Sequence, residues 1–268
     1  MIKAIMCDID GTLLTDDGRV SAKTIQAIED VRNKGILFGL STGRDVHSVK
    51  NLLKNWGIDG KVDAIVGTGG AEIYDFNTGC AKDSYPLDGA LIKNIMKHYQ
   101  DMDVNFAIPF QGILYAPKDD VHIQMLSQAD KVPYKVVDFE EFLKEPKPKV
   151  MIVCAPETMA AVVERSKSFH DDRFKCAALK TASILFEYMD PRISKTHGIQ
   201  QIMDIYELSM QDLCTFGDAD NDYDMTVNAG MGVIMKNGSE KCKSAADYIT
   251  DDNNHDGIAN FINRFILN

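Results

Sequence analysis

Apolar positions along the chain fall into two rhythms. Short runs, Ile2 with Ala4-Ile5-Met6-Cys7, Ile36-Leu37-Phe38-Gly39-Leu40, Ala64-Ile65-Val66 and Leu213-Cys214-Thr215-Phe216, have the length of strands buried on both faces. Helical patterns separate them. Ser21 caps one whose inward face is Ile25, Ile28 and Val31 and which Gly35 closes; Asp45 caps another with Val46, Val49, Leu52, Leu53 and Trp56 on its apolar side. Strand, helix, strand, helix, strand predicts an α/β fold with a doubly wound, mostly parallel, Rossmann-like sheet.

Around Pro86 the rhythm changes. Helical patterns at Ala90 to Tyr99, Val121 to Ala129 and Met159 to Phe169 alternate with strand patterns at Val104 to Ile108, Ile113 to Tyr115 and Val150 to Val153. We read three stretches: 1–86 as the first part of a core, 87–187 as an inserted α+β cap domain, and 188–268 as the second part of the core. The Pro/Lys-rich run Glu145-Pro146-Lys147-Pro148-Lys149 reads as a solvated loop inside the insertion. The core rhythm returns with Ile199, Ile202 and Ile205, then Leu213 to Phe216, Gly232 to Met235, Tyr248-Ile249, and a last helix through Ile258, Phe261, Ile262 and Phe265.

Composition narrows the function. A net charge of −11 argues against nucleic acid or an anionic membrane surface as the partner. No window approaches a membrane span, the amino-terminal apolar run is too short for a signal peptide, and the six cysteines lack disulfide spacing, so a cytoplasmic location is expected. No histidines pair at zinc-ligand spacing. A monomer and a homodimer both remain open.

Three predicted strand ends carry reactive side chains: Asp8 with Asp10, Thr42 with Gly43, and Asp218 with Asn221 and Asp222; Lys195 opens a helix. Strand carboxyl ends of one sheet meet at one edge. Four carboxylates against the Lys195 ammonium leave an excess of negative charge that repels any phosphorylated substrate, so a divalent cation is expected. All-oxygen ligation favours Mg²⁺. Asp8, on the metal, would stay ionised and nucleophilic, and Asp10 is the acid to hold protonated. The Thr42 hydroxyl, the Lys195 ammonium and the amides of Ile9, Gly11 and Gly43 would clamp phosphoryl oxygens. Arg44 reads as the structural partner of a carboxylate, Asp16 and Asp17 as turn residues, Asp220 as solvent-facing or capping, and Trp56 as core. Phe106, Phe110, Tyr115 and Tyr188 are either core or the lining of a sugar-sized pocket.

Taken in order, Asp8-Ile9-Asp10-Gly11-Thr12-Leu13-Leu14, Ser41-Thr42-Gly43-Arg44, Ser194-Lys195 and Gly217-Asp218-Ala219-Asp220-Asn221-Asp222 resemble the four motifs of the haloacid dehalogenase (HAD) superfamily, in its Cof-like branch with a type-2 cap. Met231 to Met235, Ala246 to Thr250 and Asp256-Gly257-Ile258 are similar to that branch's ending, while Gly69-Gly70-Ala71 departs from its usual Asn-Gly-Ala. The resemblance implies that Asp8 attacks phosphorus to form an aspartyl phosphate and that Asp10 first protonates the leaving oxygen, then deprotonates water. It further implies Mg²⁺ on the Asp8 carboxylate, the Asp10 carbonyl and Asp218, with Asp222 orienting metal waters or Lys195, and phosphate on Thr42, Gly43, Lys195 and Asn221. An acid at position 10 points to phosphatase or phosphomutase. The expected function is a Mg²⁺-dependent phosphomonoesterase acting on a small phosphorylated metabolite, by default a sugar phosphate. The alternatives are a phosphomutase of the phosphomannomutase type and a non-hydrolytic phospho-acceptor or phosphate-binding module.

Overall fold

A computed structural model describes residues 1–268. They form two compact units: Met1–Lys82 together with Ser194–Asn268, and Asp83–Ile193.

The first unit is built on a sheet in the order Tyr248–Thr250, Met231–Met235, Leu213–Gly217, Ala4–Cys7, Leu37–Ser41, Ala64–Gly67, Glu72–Asp75, Ala81–Asp83. The first six of these strands run parallel, and Glu72–Asp75 returns antiparallel beside Ala64–Gly67. Every residue of the Ala4–Cys7 strand is buried, and Cys7 registers with Leu40 on one side and Phe216 on the other. From this strand the chain winds outward one way through Leu37–Ser41 and Ala64–Gly67. It later returns to the opposite side through Leu213–Gly217. Winding therefore reverses at Ala4–Cys7, and a residue leaving its carboxyl end enters the crevice where open α/β sheets bind ligands. That residue is Asp8.

Both faces of the sheet are covered, which is why its strands read as unbroken apolar runs. Ile5, Cys7, Phe38, Leu40, Cys214 and Phe216 pack with Ile28, Val31, Val49, Trp56 and Phe261 on one face. Ala4, Met6, Ala64 and Val66 pack on the other with Ile199, Ile202 and Met203 of the helix Lys195–Ile205. The expected caps are in place, with Ser21 accepting from the Thr24 N–H and Asp45 from Ser48, and Ser194 caps the helix from Lys195 in the same way by accepting from His197. The Glu72–Asp75 and Ala81–Asp83 strands were not expected; both are short, and the second is exposed throughout.

The second unit holds a six-stranded sheet in the order Ala177–Lys180, Leu185–Met189, Val150–Val153, Asn105–Phe110, Ile113–Ala116, Tyr134–Val136. Helices Gly89–His98 and Pro156–Ser166 cover one face with Leu91, Ile92, Ile95, Met159 and Val162. Helix Val121–Asp130 contributes Ile123 and Leu126 to the other, against Leu114 and Met151. Phe106 and Tyr188 are buried in the first of these cores, and Phe110 and Tyr115 pack against it partly buried. The Tyr188 hydroxyl meets that of Tyr99 at 2.7 Å.

One reading is corrected here. The Glu145–Lys149 run is not a solvated loop, because Lys147 and Lys149 are each only 2% exposed. The Lys147 ammonium donates to the carbonyls of Glu145 and Pro146 and lies 4.5 Å from the centre of the Phe142 ring. Lys149 forms an ion pair with Glu187 at 2.9 Å. Each buried ammonium has found a partner that composition does not disclose. All six cysteines are free, and no helix is long and apolar enough to cross a membrane.

Candidate active site

Asp8 follows the central strand, and its N–H still donates to the Phe216 carbonyl at 2.9 Å, so the backbone is anchored up to the point where the side chain leaves it. The next residues coil into one wide turn, Ile9–Leu13, with Leu13 N–H donating to the Asp8 carbonyl and Leu14 N–H to that of Ile9. Gly11 makes this turn possible. Its φ is +83°, and a Cβ there would lie 2.6 Å from Oδ2 of Asp218. Only a glycine accepts that angle cheaply while letting the backbone come this close to a carboxylate.

Strand Leu213–Gly217 ends beside it and delivers Asp218, while the short turn Asp220–Asp222 carries Asp222 back beneath. Asp222 is fully buried, and its Oδ2 accepts from the N–H groups of Asp218 and Ala219, both at 2.9 Å. Its Oδ1 faces Lys195, the first residue of helix Lys195–Ile205. The Lys195 ammonium bridges Oδ1 of Asp222 and Oδ1 of Asp8, each at 2.5 Å. One carboxylate oxygen from each of Asp8, Asp218 and Asp222 falls within a 4.8 Å group.

Charge in this cluster is unbalanced, and the proton affinities register it. Burial drives the Asp8 carboxyl well up; the Lys195 ammonium pulls the other way, and Asp222 and Asp218 add to the rise. Burial, with Asp222 and Asp10 nearby and a Thr12 hydrogen bond opposing, raises Asp218 to about 6. Burial works against the Lys195 ammonium, but Asp222 and Asp8 together outweigh it and hold lysine above its ordinary range. A divalent cation would relieve this excess of acid, and the donors would suit a hard one: carboxylate oxygens with no imidazole or thiolate among them. Asp8 and Asp218 fit as its ligands. Asp222, already engaged by an ammonium and two N–H groups, is better suited to hold Lys195 and the Asp218 loop in place.

Asp10 stands outside this group. Its side chain is 56% exposed, and both oxygens are taken by Arg44, Nε to Oδ2 at 2.9 Å and Nη2 to Oδ1 at 3.0 Å. Arg44 is the partner of a carboxylate, as its place at a helix start suggested, and that carboxylate belongs to the expected site. Thr42 is buried, with its N–H on the Val66 carbonyl and its hydroxyl accepting from the Arg44 N–H at 3.2 Å. Beside it the space over Gly43 is open. Ile9 is fully buried, and Asn221 is exposed on the Asp220–Asp222 turn. Asp16 and Asp17 lie in the tight Thr15–Arg19 turn, and Asp220 accepts from the Ser239 hydroxyl at 2.7 Å.

Three contributors went unassigned from sequence. Thr12 donates its hydroxyl to Oδ1 of Asp218 at 2.7 Å. Ser239 N–H donates to the Asp218 carbonyl at 2.7 Å, and Asn237 donates to the carbonyl of Gly11 at 2.8 Å. Thr12 lies in the first motif, but its partner is 206 residues away and that of Asn237 is 226 residues away, while Asn237 and Ser239 fall between the tail segments that drew attention.

Comparison with known proteins identifies the family and the fold. The sequence profile of the haloacid dehalogenase-like hydrolases matches residues 5–262. The 5-amino-6-(5-phospho-D-ribitylamino)uracil phosphatase YitU of Bacillus subtilis is 28% identical over 265 residues, covering 97% of this chain and 96% of its own. Among solved structures, a haloacid dehalogenase-like hydrolase from Bacteroides thetaiotaomicron superposes with a TM-score of 0.88 at 22% identity over 98% of this chain and 99% of its own. The HAD subclass IIB sugar phosphatase BT4131 superposes with a TM-score of 0.82 at 22% identity, covering 99% and 100%. With the profile spanning nearly the whole chain and the acid cluster seated at the sheet's switch point, the protein belongs to the haloacid dehalogenase-like hydrolases.

Proposed function

We propose that the protein is a Mg²⁺-dependent phosphomonoesterase that works through an aspartyl phosphate. The observation that carries this reading is the Lys195 ammonium held at 2.5 Å from both Asp8 and Asp222, with Asp218 alongside. Lys195 takes one oxygen of Asp8 and leaves the other for a cation or for phosphorus. The Lys195 ammonium favours the ionised form of Asp8 against the burial that opposes it, and a bound cation would add to that effect. Mg²⁺, when bound to Asp8, the Asp10 carbonyl and Asp218, supplies the positive charge that lets a phosphate dianion approach three acids.

In the first half-reaction an Asp8 oxygen forms a bond to phosphorus while the bond from phosphorus to the leaving oxygen breaks. Asp10, once it has left Arg44 and taken a proton from solvent, gives that proton to the leaving oxygen. In the second, water bonds to phosphorus, Asp10 takes the proton, and Asp8 departs as carboxylate. The N–H groups of Ile9, Gly11 and Gly43, the Thr42 hydroxyl, Lys195 and Asn221 hold the phosphoryl oxygens. For the proton transfers Asp10 must exchange Arg44 for the leaving oxygen, which a half-exposed side chain does by rotating.

The substrate is a small phosphorylated metabolite, and a sugar or polyol phosphate is the first choice. The names of YitU and of the subclass IIB neighbour support this, since each includes a phosphorylated sugar-like chain or a sugar. The unit Asp83–Ile193 is the part proposed to choose among such substrates. The test is free-phosphate release over a panel of sugar phosphates, nucleotides, flavin and pyridoxal phosphates, with and without Mg²⁺. Release that needs Mg²⁺ and falls by about 10⁴-fold or more in Asp8→Asn is expected, a loss of the size seen when a catalytic nucleophile is removed. Release that persists in Asp8→Asn refutes the mechanism.

A further inference from the structure

We infer that Asn237 and Asn253 are positioning residues for the turn that follows Asp8, fastening its Gly11–Thr12 peptide and its exit at Leu14. Their link to catalysis rests on the phosphatase reading above.

Asn237 donates from Nδ2 to the Gly11 carbonyl at 2.8 Å, and its Oδ1 accepts from the Asn253 N–H at 3.3 Å. Asn253, only 7% exposed, donates from Nδ2 to the Leu14 carbonyl at 2.9 Å and to Oδ1 of Asp16 at 3.0 Å. Asn254 adds a third hold, accepting from the Asp16 N–H at 3.0 Å. One relay of side-chain amides thus grips the turn near its middle and at its exit, from segments more than 220 residues away in sequence.

The turn needs such a hold. Inside it, a glycine sits at φ +83° and ψ −4°, and the internal bonds are those of Leu13 to Asp8 and Leu14 to Ile9. Glycine leaves that peptide unusually free to rotate. The carbonyl that Asn237 takes belongs to the peptide whose other end is Thr12, and the Thr12 hydroxyl is bound to Asp218. The loop bearing Asn237 also holds the other strand end, with Ser239 N–H on the Asp218 carbonyl and a Gly238 Cβ position 3.0 Å from that same oxygen. The segment around Asn237 therefore sets the spacing between the Asp8 turn and the Asp218 loop. Asn237 is exposed, so water would satisfy the Gly11 carbonyl as well. What water would not do is fix the peptide's direction.

The test uses the full chain with Asn237→Ala, Asn253→Ala and the double variant. Each single variant is expected to lose about 10- to 100-fold in kcat, the usual effect of removing a group that orients a ligand, with KM little changed. Orthovanadate inhibition should weaken with kcat/KM, because both report transition-state shape. The double variant should be scarcely worse than the weaker single one, as expected for members of one network. Amide hydrogen exchange at residues 9–15 should quicken about tenfold or more while exchange in the central sheet stays unchanged.

Wild-type kcat in both single variants overturns the inference. So does a loss of activity that follows the folded fraction and vanishes on cooling. If the wild-type chain releases phosphate from nothing in the panel, the phosphatase reading falls, and hydrogen exchange alone then decides. Unchanged exchange at 9–15 means that the asparagines do not hold the turn.

Discussion

Each unit buries a lysine against acid, and the two sites differ in balance. In the Asp83–Ile193 unit, Lys149 meets Glu187 at 2.9 Å, and the Thr181 hydroxyl donates to the other Glu187 oxygen at 3.0 Å. One cation faces one anion there. In the other unit Lys195 is shared by Asp8 and Asp222, with Asp218 beside them, pushed up to about 6. A matched pair can remain closed on itself, whereas a cluster with surplus acid is stable only as a receptor for something positive. Charge balance, more than burial or distance, separates Lys149 from Lys195, the lysine proposed to act in catalysis.

The largest expected effect comes from removing Lys195, the lysine proposed to act in catalysis. Lys195→Met leaves Asp8 and Asp222 facing each other without their ammonium, and turnover should fall about 10³-fold or more, in line with the loss of an electrostatic group in a water-poor site. Activity near wild type in that variant would erase the distinction between the two lysines.

Lys149→Met alone strands Glu187 in the interior and should cost about 3–5 kcal/mol of unfolding free energy by denaturant titration. Replacing both partners, Lys149→Met with Glu187→Leu, should recover most of that loss, since apolar side chains pack where a matched pair stood. The double variant should keep kcat for a simple aryl phosphate. A selective loss on sugar phosphates would break the comparison by giving the pair a role in recognition.

The gentlest probe is pH. Asp218 titrates near 6 without metal, so above that value the carboxylate is free to bind a cation, and below it a proton competes. Apparent Mg²⁺ affinity should fall as the pH drops through about 6, by about tenfold per unit for each ligand carboxyl that must give up a proton, with the raised Asp8 adding to the Asp218 effect. Calorimetric titration with Mg²⁺ alone measures this, and an affinity that rises on acidification would contradict the assignment of Asp218 as a ligand.

Strand ends were legible where apolar runs stopped at Asp8, Thr42 and Asp218, because a strand buried on both faces must be continuously apolar and must end where polar chemistry begins. Caps at Ser21 and Asp45 were legible for an equally local reason, since a cap bonds within three residues. The strands Tyr134–Val136 and Ala177–Lys180 were not, being short, largely exposed sheet edges with little apolar alternation. The burial of Lys147 and Lys149 ran against composition, because Phe142 and Glu187 reach them only after the chain has folded.

Sequence by itself determined the family, the alternation that builds the sheet, and the types of side chain delivered to its edge, since each follows from local pattern and from motifs in order. Tertiary structure alone decided that Lys195 joins Asp8 to Asp222, that Arg44 takes Asp10, and that Asn237 reaches Gly11. A charged or amide side chain bonds to whichever complementary group the folded backbone brings within about 3 Å, and sequence separation does not enter that choice.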